Sequence, residues 1–276
     1  MKNIVLIDFT IESMHALDYA IGFCKATRSD LELINVSTKD KWRENMDRLE
    51  HLKTEKETDS FKLEIHEMVG DVESSIPDYI NFSNDIGFVF LGTHDKKFLD
   101  RIFQSRSMKL MNDTKAHFIF IPQNLREFKE ITRVSIPVTR SAHSLQSLRI
   151  ANFLANFMKF QITFFSYNSA DKEEASILNK RMRMALEVAD HPNIDCSSKI
   201  RGNSESDLRE HLEEYASNDH TDLVIFNNTS ASGDKFNFTT KGFIEYIIRN
   251  KSGIPVIAVK DSVTEVFDTT FHTTGG

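Results

Sequence analysis

The stretch Asn3-Ile4-Val5-Leu6-Ile7-Asp8-Phe9-Thr10 decides how this chain is read, because its design returns at Val134-Ser135-Ile136-Pro137-Val138-Thr139-Arg140-Ser141. A short strand, a turn and an amphipathic helix open at each place. The helices that follow align Leu17 with Leu148 and Ala20 with Ala151, and Asp8 lies 131 residues before Thr139. Later landmarks recur in the same order. Met68-Val69-Gly70-Asp71 matches Ile200-Arg201-Gly202-Asn203, and the run from Ile86 to Gly92 matches that from Thr221 to Asn227. The run from His117 to Ile121 matches that from Pro255 to Val259. The offset grows to 135 at Gly92 and 138 at His117, so the second copy is a few residues longer in its loops, where insertions are tolerated. Such repetition fixes the architecture before any motif is sought.

Length and composition agree with two domains. A chain of 276 residues exceeds the usual single domain, and halves of about 130 to 140 residues can each bury a core. With 34 Lys and Arg against 41 Asp and Glu, the net charge of −7 argues against a broad footprint for nucleic acid or anionic membrane. The only cysteines, Cys24 on an apolar helix face and Cys196 in a strand, lack CxxC spacing and suit a reducing compartment. No apolar run approaches the roughly 18 residues of a membrane span, and Met1-Lys2 runs straight into a strand, so the reading is cytoplasmic.

Within each half, strands alternate with helices. Strands are predicted at 3–8, 30–36, 61–68, 88–92 and 117–121, then at 133–137, 161–166, 195–199, 222–227 and 255–259. Several are continuous apolar runs, as in parallel strands buried on both faces. Ile11, Met14, Leu17, Ile21 and Cys24 form one helical stripe; Trp42, Met46, Leu49 and Leu52 a second; Ile76, Tyr79 and Ile80 a third. In the second half, Leu145, Leu148 and Ala151 mark the first helix and Leu208, Leu212 and Tyr215 the third. The fold class is therefore α/β: two tandem doubly wound parallel-sheet domains, 1–122 and 133–260. The linker from Pro122 to Thr132 is mostly polar, but Leu125, Phe128 and Ile131 give it apolar points for docking, so the halves are expected to pack together.

In such sheets ligands lie outside the carboxyl ends of the strands at the switch point. There the first half offers Asp8, Thr10 as helix cap, Val36, and Leu91-Gly92-Thr93-His94-Asp95-Lys96-Lys97, followed by Ser105-Arg106-Ser107. At these residues the chain resembles the universal stress protein family in its tandem form, over nearly all of both halves. The resemblance implies an adenine nucleotide alpha hydrolase-like fold and, from the last strand of each half, an intramolecular pseudo-dimer, alone or as a homodimer. Its ATP-binding members carry Gly-x2-Gly-x9-Gly-Ser/Thr after strand four, where glycines admit backbone NH groups to phosphates at a helix N-terminus. By resemblance, Asp8 and Val36 lie at the adenosine end, and Gly92, Thr93, His94, Ser105, Arg106 and Ser107 at the phosphates, giving a Mg-ATP site in the first domain only.

The match is partial. Asp95 replaces the second glycine and Ser105 the third, while Arg106 stands where a hydroxyl is expected. Asp95 brings negative charge towards a triphosphate and suits a helix cap at Lys96 better. Asp8 has a plain structural reading as well, since a strand-end carboxylate caps the next helix. The second half departs further: Thr139 stands for the Asp, Asn227 and Ser230 for the first two glycines, and Ala231-Ser232-Gly233-Asp234 reads as a turn. No HExxH, CxxC or GxSxG occurs and the ten histidines show no metal spacing, so no catalytic or metal residue is assigned. Two functions follow: a stress-response interaction protein with weak or absent nucleotide binding, favoured by the degraded glycine pattern, and an ATP-binding sensor using the first-domain site. The protein partner is unnamed by the sequence.

Overall fold

Strand β1 (Lys2–Leu6) buries Ile4 and Val5 completely, one on each face, as its unbroken apolar run requires. Around it the computed structural model describes residues 1–58, 63–83, 85–93, 113–141, 145–189, 191–228 and 253–260. The chain divides between Phe128 and Lys129 into two units.

In unit 1, β2 (Asp30–Ser37), β3 (Leu63–Val69), β4 (Ile86–Thr93) and β5 (His117–Pro122) join β1 in the order β3-β2-β1-β4-β5, every described pairing parallel. Helices α1 (Ile11–Thr27), α2 (Trp42–Lys56) and α3 (Val72–Phe82) make the crossovers. The order reverses between β1 and β4, which places the switch point at their carboxyl ends.

Unit 2 repeats this plan. Strands β6 (Arg133–Pro137), β7 (Phe160–Ser166), β8 (Ile194–Ile200), β9 (Leu223–Asn228) and β10 (Val256–Lys260) run in the order β8-β7-β6-β9-β10. They are accompanied by α4 (Ser147–Ala155), α5 (Lys172–Val188) and α6 (Glu205–Tyr215), the last continued by a π-helical turn at Ala216–His220. The repeat extends to single hydrogen bonds. Ile7 N donates to Ile34 O at 2.9 Å and Val138 N to Phe165 O at 2.7 Å. Asn35 Nδ2 donates to Ile7 O, and Ser166 Oγ to Val138 O.

The buried face of α1 differs from the stripe read in the sequence. Ile11 is 60% exposed and Met14 and Ile21 are half-buried, whereas Ala16, Leu17, Ala20, Phe23 and Cys24 are buried. Small residues let the helix lie close to the sheet, where the Phe23 ring meets Phe88 at 5.4 Å and Phe90 at 5.3 Å, edge to face. Trp42 at the start of α2 is likewise exposed, while Leu49 and Leu52 carry that helix's burial. In the connecting stretch Phe128 docks on unit 1, its ring 5.3 Å from Tyr19 and its Cβ 2.3 Å from where a side chain on Gly22 would begin. Ile131 is buried within unit 2.

A buried amide organises the amino end of β1. The register between β1 and β4 shifts between Lys2 and Ile4, and there Asn3 Oδ1 accepts from Phe88 N at 3.1 Å. Its Nδ2 donates to Ser29 Oγ at 2.8 Å and Cys24 Sγ at 3.3 Å. All three side chains are buried, so the amide does what the interrupted ladder cannot. No described helix is long and apolar enough to cross a membrane.

Candidate functional site

The site is built around the first turn of α1. Thr10 is its N-cap, accepting from Ser13 N at 3.3 Å. Asp8 stands behind the cap: its Oδ1 accepts from Thr10 N at 3.1 Å and Thr10 Oγ1 at 2.6 Å. Between them Phe9 takes a left-handed backbone (φ 60°), a costly conformation for a residue with a side chain. Its ring lies 3.8 Å from the Arg48 guanidinium carbon of α2.

Gly92, near the end of β4, is pressed against this turn. A Cβ there would sit 2.2 Å from the Glu12 carbonyl oxygen and 3.0 Å from Ser13 N. The missing side chain is thus demanded by the protein's own main chain. Thr93 is buried and its hydroxyl donates to Ile121 O at 3.1 Å. Glu12, also buried, accepts from Gln123 Nε2 at 3.0 Å, while Gln123 O lies 2.9 Å from His15 Nδ1. Two carboxylates, Asp8 and Glu12, therefore attend the positive end of α1.

At the end of β2, Val36 is half-buried and paired in register with Met68. Beside it the buried Asn35 accepts from Asn45 Nδ2 of α2 at 3.0 Å, and Ser37 Oγ donates to Glu67 of β3. Burial pushes the Glu67 carboxyl above the usual range despite the hydrogen bonds from Ser37 and Asn45. The structure thus brings Asp8, Val36 and Gly92 to neighbouring strand ends and turns Thr93 into the core. His94, Ser105, Arg106 and Ser107 lie outside the described residues.

Two units of one strand order, each switching at its first and fourth strands, invite comparison with solved structures. A universal stress protein from Archaeoglobus fulgidus DSM 4304 is similar with a TM-score of 0.70 and 15% identity, over 94% of this chain and 98% of that one. The chain carries the universal stress protein fold in tandem. A putative universal stress protein from Pseudomonas aeruginosa UCBPP-PA14 is similar at TM-score 0.62 and 12% identity, over 98% of this chain and 97% of that one. A functionally unknown protein from Pseudomonas aeruginosa PAO1 follows at 0.61 and 13%, over 98% and 96%. No family model and no curated protein matches the sequence.

In the second copy of the universal stress protein fold, different side chains occupy the corresponding strand ends. Thr139, in the place of Asp8, accepts from Ser141 N at 3.3 Å, and its carbonyl accepts from Arg181 of α5 at 3.0 Å. Tyr167 stands where unit 1 has Val36. It is 4% exposed, and its hydroxyl donates to Glu174 Oε1 of α5 at 2.8 Å. Ser169 donates to the other oxygen of Glu174 at 2.5 Å. Burial, then the Glu174 carboxylate, push the Tyr167 hydroxyl far above its ordinary range. Burial also raises the nearby Glu205 carboxyl, against the pull of Arg209 and Arg140. Tyr167 and Glu174 escaped the sequence reading, although the 131-residue offset laid on Val36 points to Tyr167 directly. Among the described residues no three His, Cys, Asp or Glu side chains gather as a metal site.

Proposed function

We propose that this protein serves the stress response through contacts with other proteins, binding adenine nucleotide weakly or not at all. The observation that carries this reading is the packing of Gly92 on Glu12: the glycine that would admit a phosphate is already required by α1. Supporting it, the hydroxyl of Thr93 is engaged with Ile121, and Glu12 adds a carboxylate to the helix end where an anion would bind. Around the neighbouring strand ends, Trp42, Val69 and Val72 are exposed apolar residues suited to a protein surface. The tandem pair would then serve as the platform.

The thermal midpoint of the full chain, with and without millimolar Mg-ATP, tests this. A ligand present at about 100 times its Kd adds roughly 2.7 kcal/mol of stability. The expected result is no shift. An upward shift that disappears in Asp8→Ala would replace this reading with the ATP sensor.

A further inference from the structure

A separate concavity of about 270 Å³ opens in unit 2 against the edge strand β8, away from the switch point of β6 and β9. Its floor is aromatic. The Tyr215 ring lies 4.9 Å from Phe165 and 4.9 Å from His220, the latter at an interplanar angle of 33°. His220 is brought there by the π-helical turn that follows α6, a rare conformation that collects at functional sites.

The wall is cationic. Lys199 and Arg201, two residues apart, emerge from one side of β8 and its end. The Lys199 ammonium stands 3.9 Å above the Tyr215 ring, and Arg201 Nη1 donates at 3.2 Å to the neighbouring Ile200 carbonyl. The one lining carboxylate, Glu214, lies 3.8 Å from His211 Nδ1, beside the histidine. Among the described residues neither Lys199 nor Arg201 has a carboxylate partner, although α6 is rich in Glu. Cations that merely balanced the acidic helix would pair with it.

We propose that this pocket binds a small phosphate monoester bearing one flat ring. The phosphate would sit between Lys199 and Arg201, where guanidinium and ammonium donors suit its oxygens, and the ring against the exposed imidazole of His220, itself backed by Tyr215. The volume falls just under the roughly 300–1,000 Å³ of ordinary ligand sites, which admits a single ring with its phosphate and excludes a dinucleotide.

Calorimetric titration of the full chain with phenyl phosphate tests the assignment, with folding of each variant checked by circular dichroism. Expected is a Kd of about 1 mM or tighter, weakened about tenfold or more by Lys199→Met and by Arg201→Gln, since each removes a charged hydrogen bond. Inorganic phosphate should bind more weakly than phenyl phosphate, and Lys180→Met, which removes an exposed cation on α5, should leave binding intact. The proposal is overturned by absent binding at about 10 mM, an amount well above the expected Kd. It is equally overturned if both pocket variants bind normally, if Lys180→Met weakens binding as much, or if inorganic phosphate binds as tightly.

Discussion

The carbonyl oxygen of Glu12 lies 2.2 Å from where a side chain on Gly92 would begin, so these two residues lock the first turn of α1 onto the end of β4. Neither partner is a flexible side-chain tip, and contact with main chain leaves little room for relaxation. Gly92→Ala should therefore cost about 2–3 kcal/mol of unit 1 stability, as overpacking does. Denaturant unfolding without any nucleotide is the measurement. An unchanged midpoint would mean that the glycine serves something other than this packing.

His117 makes stability depend on pH. Burial in β5 pushes its pKa down to about 3, against 6.5 for an exposed imidazole. Between these values the unfolded chain holds a proton that the folded chain refuses. Stability is accordingly full above about pH 6.5 and falls by about 1.4 kcal/mol per unit as pH drops towards 3. His117→Phe should flatten that slope, whatever it does to the absolute midpoint; equal slopes between pH 4 and 6.5 would refute the assignment.

The two thiols should separate cleanly under a disulfide reagent. Cys24 is buried and held by Asn3, and burial raises its pKa to about 11. Cys196 is exposed on β8, although partial burial and Asp195 raise its pKa as well. One thiol should react in the native protein and two in denaturant, because the thiolate is the reactive form and needs access. Rapid modification of both in native buffer would contradict the buried Asn3–Cys24 contact.

Arg28 closes α1 in a left-handed conformation (φ 53°, ψ 44°) that glycine adopts without penalty. Its side chain is exposed. Arg28→Gly should raise stability by about 0.5–1 kcal/mol, read as a higher denaturation midpoint at unchanged slope. A loss instead would show that the arginine side chain contributes more than its backbone costs.

The architecture was legible because strands such as Phe88–Leu91 are apolar on both faces and because landmarks recur in order at nearly constant offset. Helix faces were harder. Ile11 and Ile21 look more like core than Ala16 and Ala20, yet close approach to a sheet selects small residues, which hydropathy does not weigh. Gly92 posed a deeper ambiguity. A glycine approached by a phosphate and one approached by its own helix both need a missing Cβ, so the letter is the same in either case. The family resemblance places Thr93 at the phosphates, and the hydrogen bond from its hydroxyl to Ile121 O is visible only in the fold. Tyr167 was hidden because it follows its strand as an ordinary polar aromatic; its meaning depends on Glu174 arriving from α5.

The paired bonds from Asn35 to Ile7 and from Ser166 to Val138 have the same reach, 131 residues apart at both ends. An amide does in one unit what a hydroxyl does in the other, while a carboxylate and a threonine, or a phenylalanine and an arginine, exchange places nearby. Length from the first strand to the second behaves as a ruler, and chemistry is what is written along it. Insertions elsewhere in the second copy have left both bonds in place, so a substitution at one of these strand ends changes the chemistry offered there while the backbone holds its course.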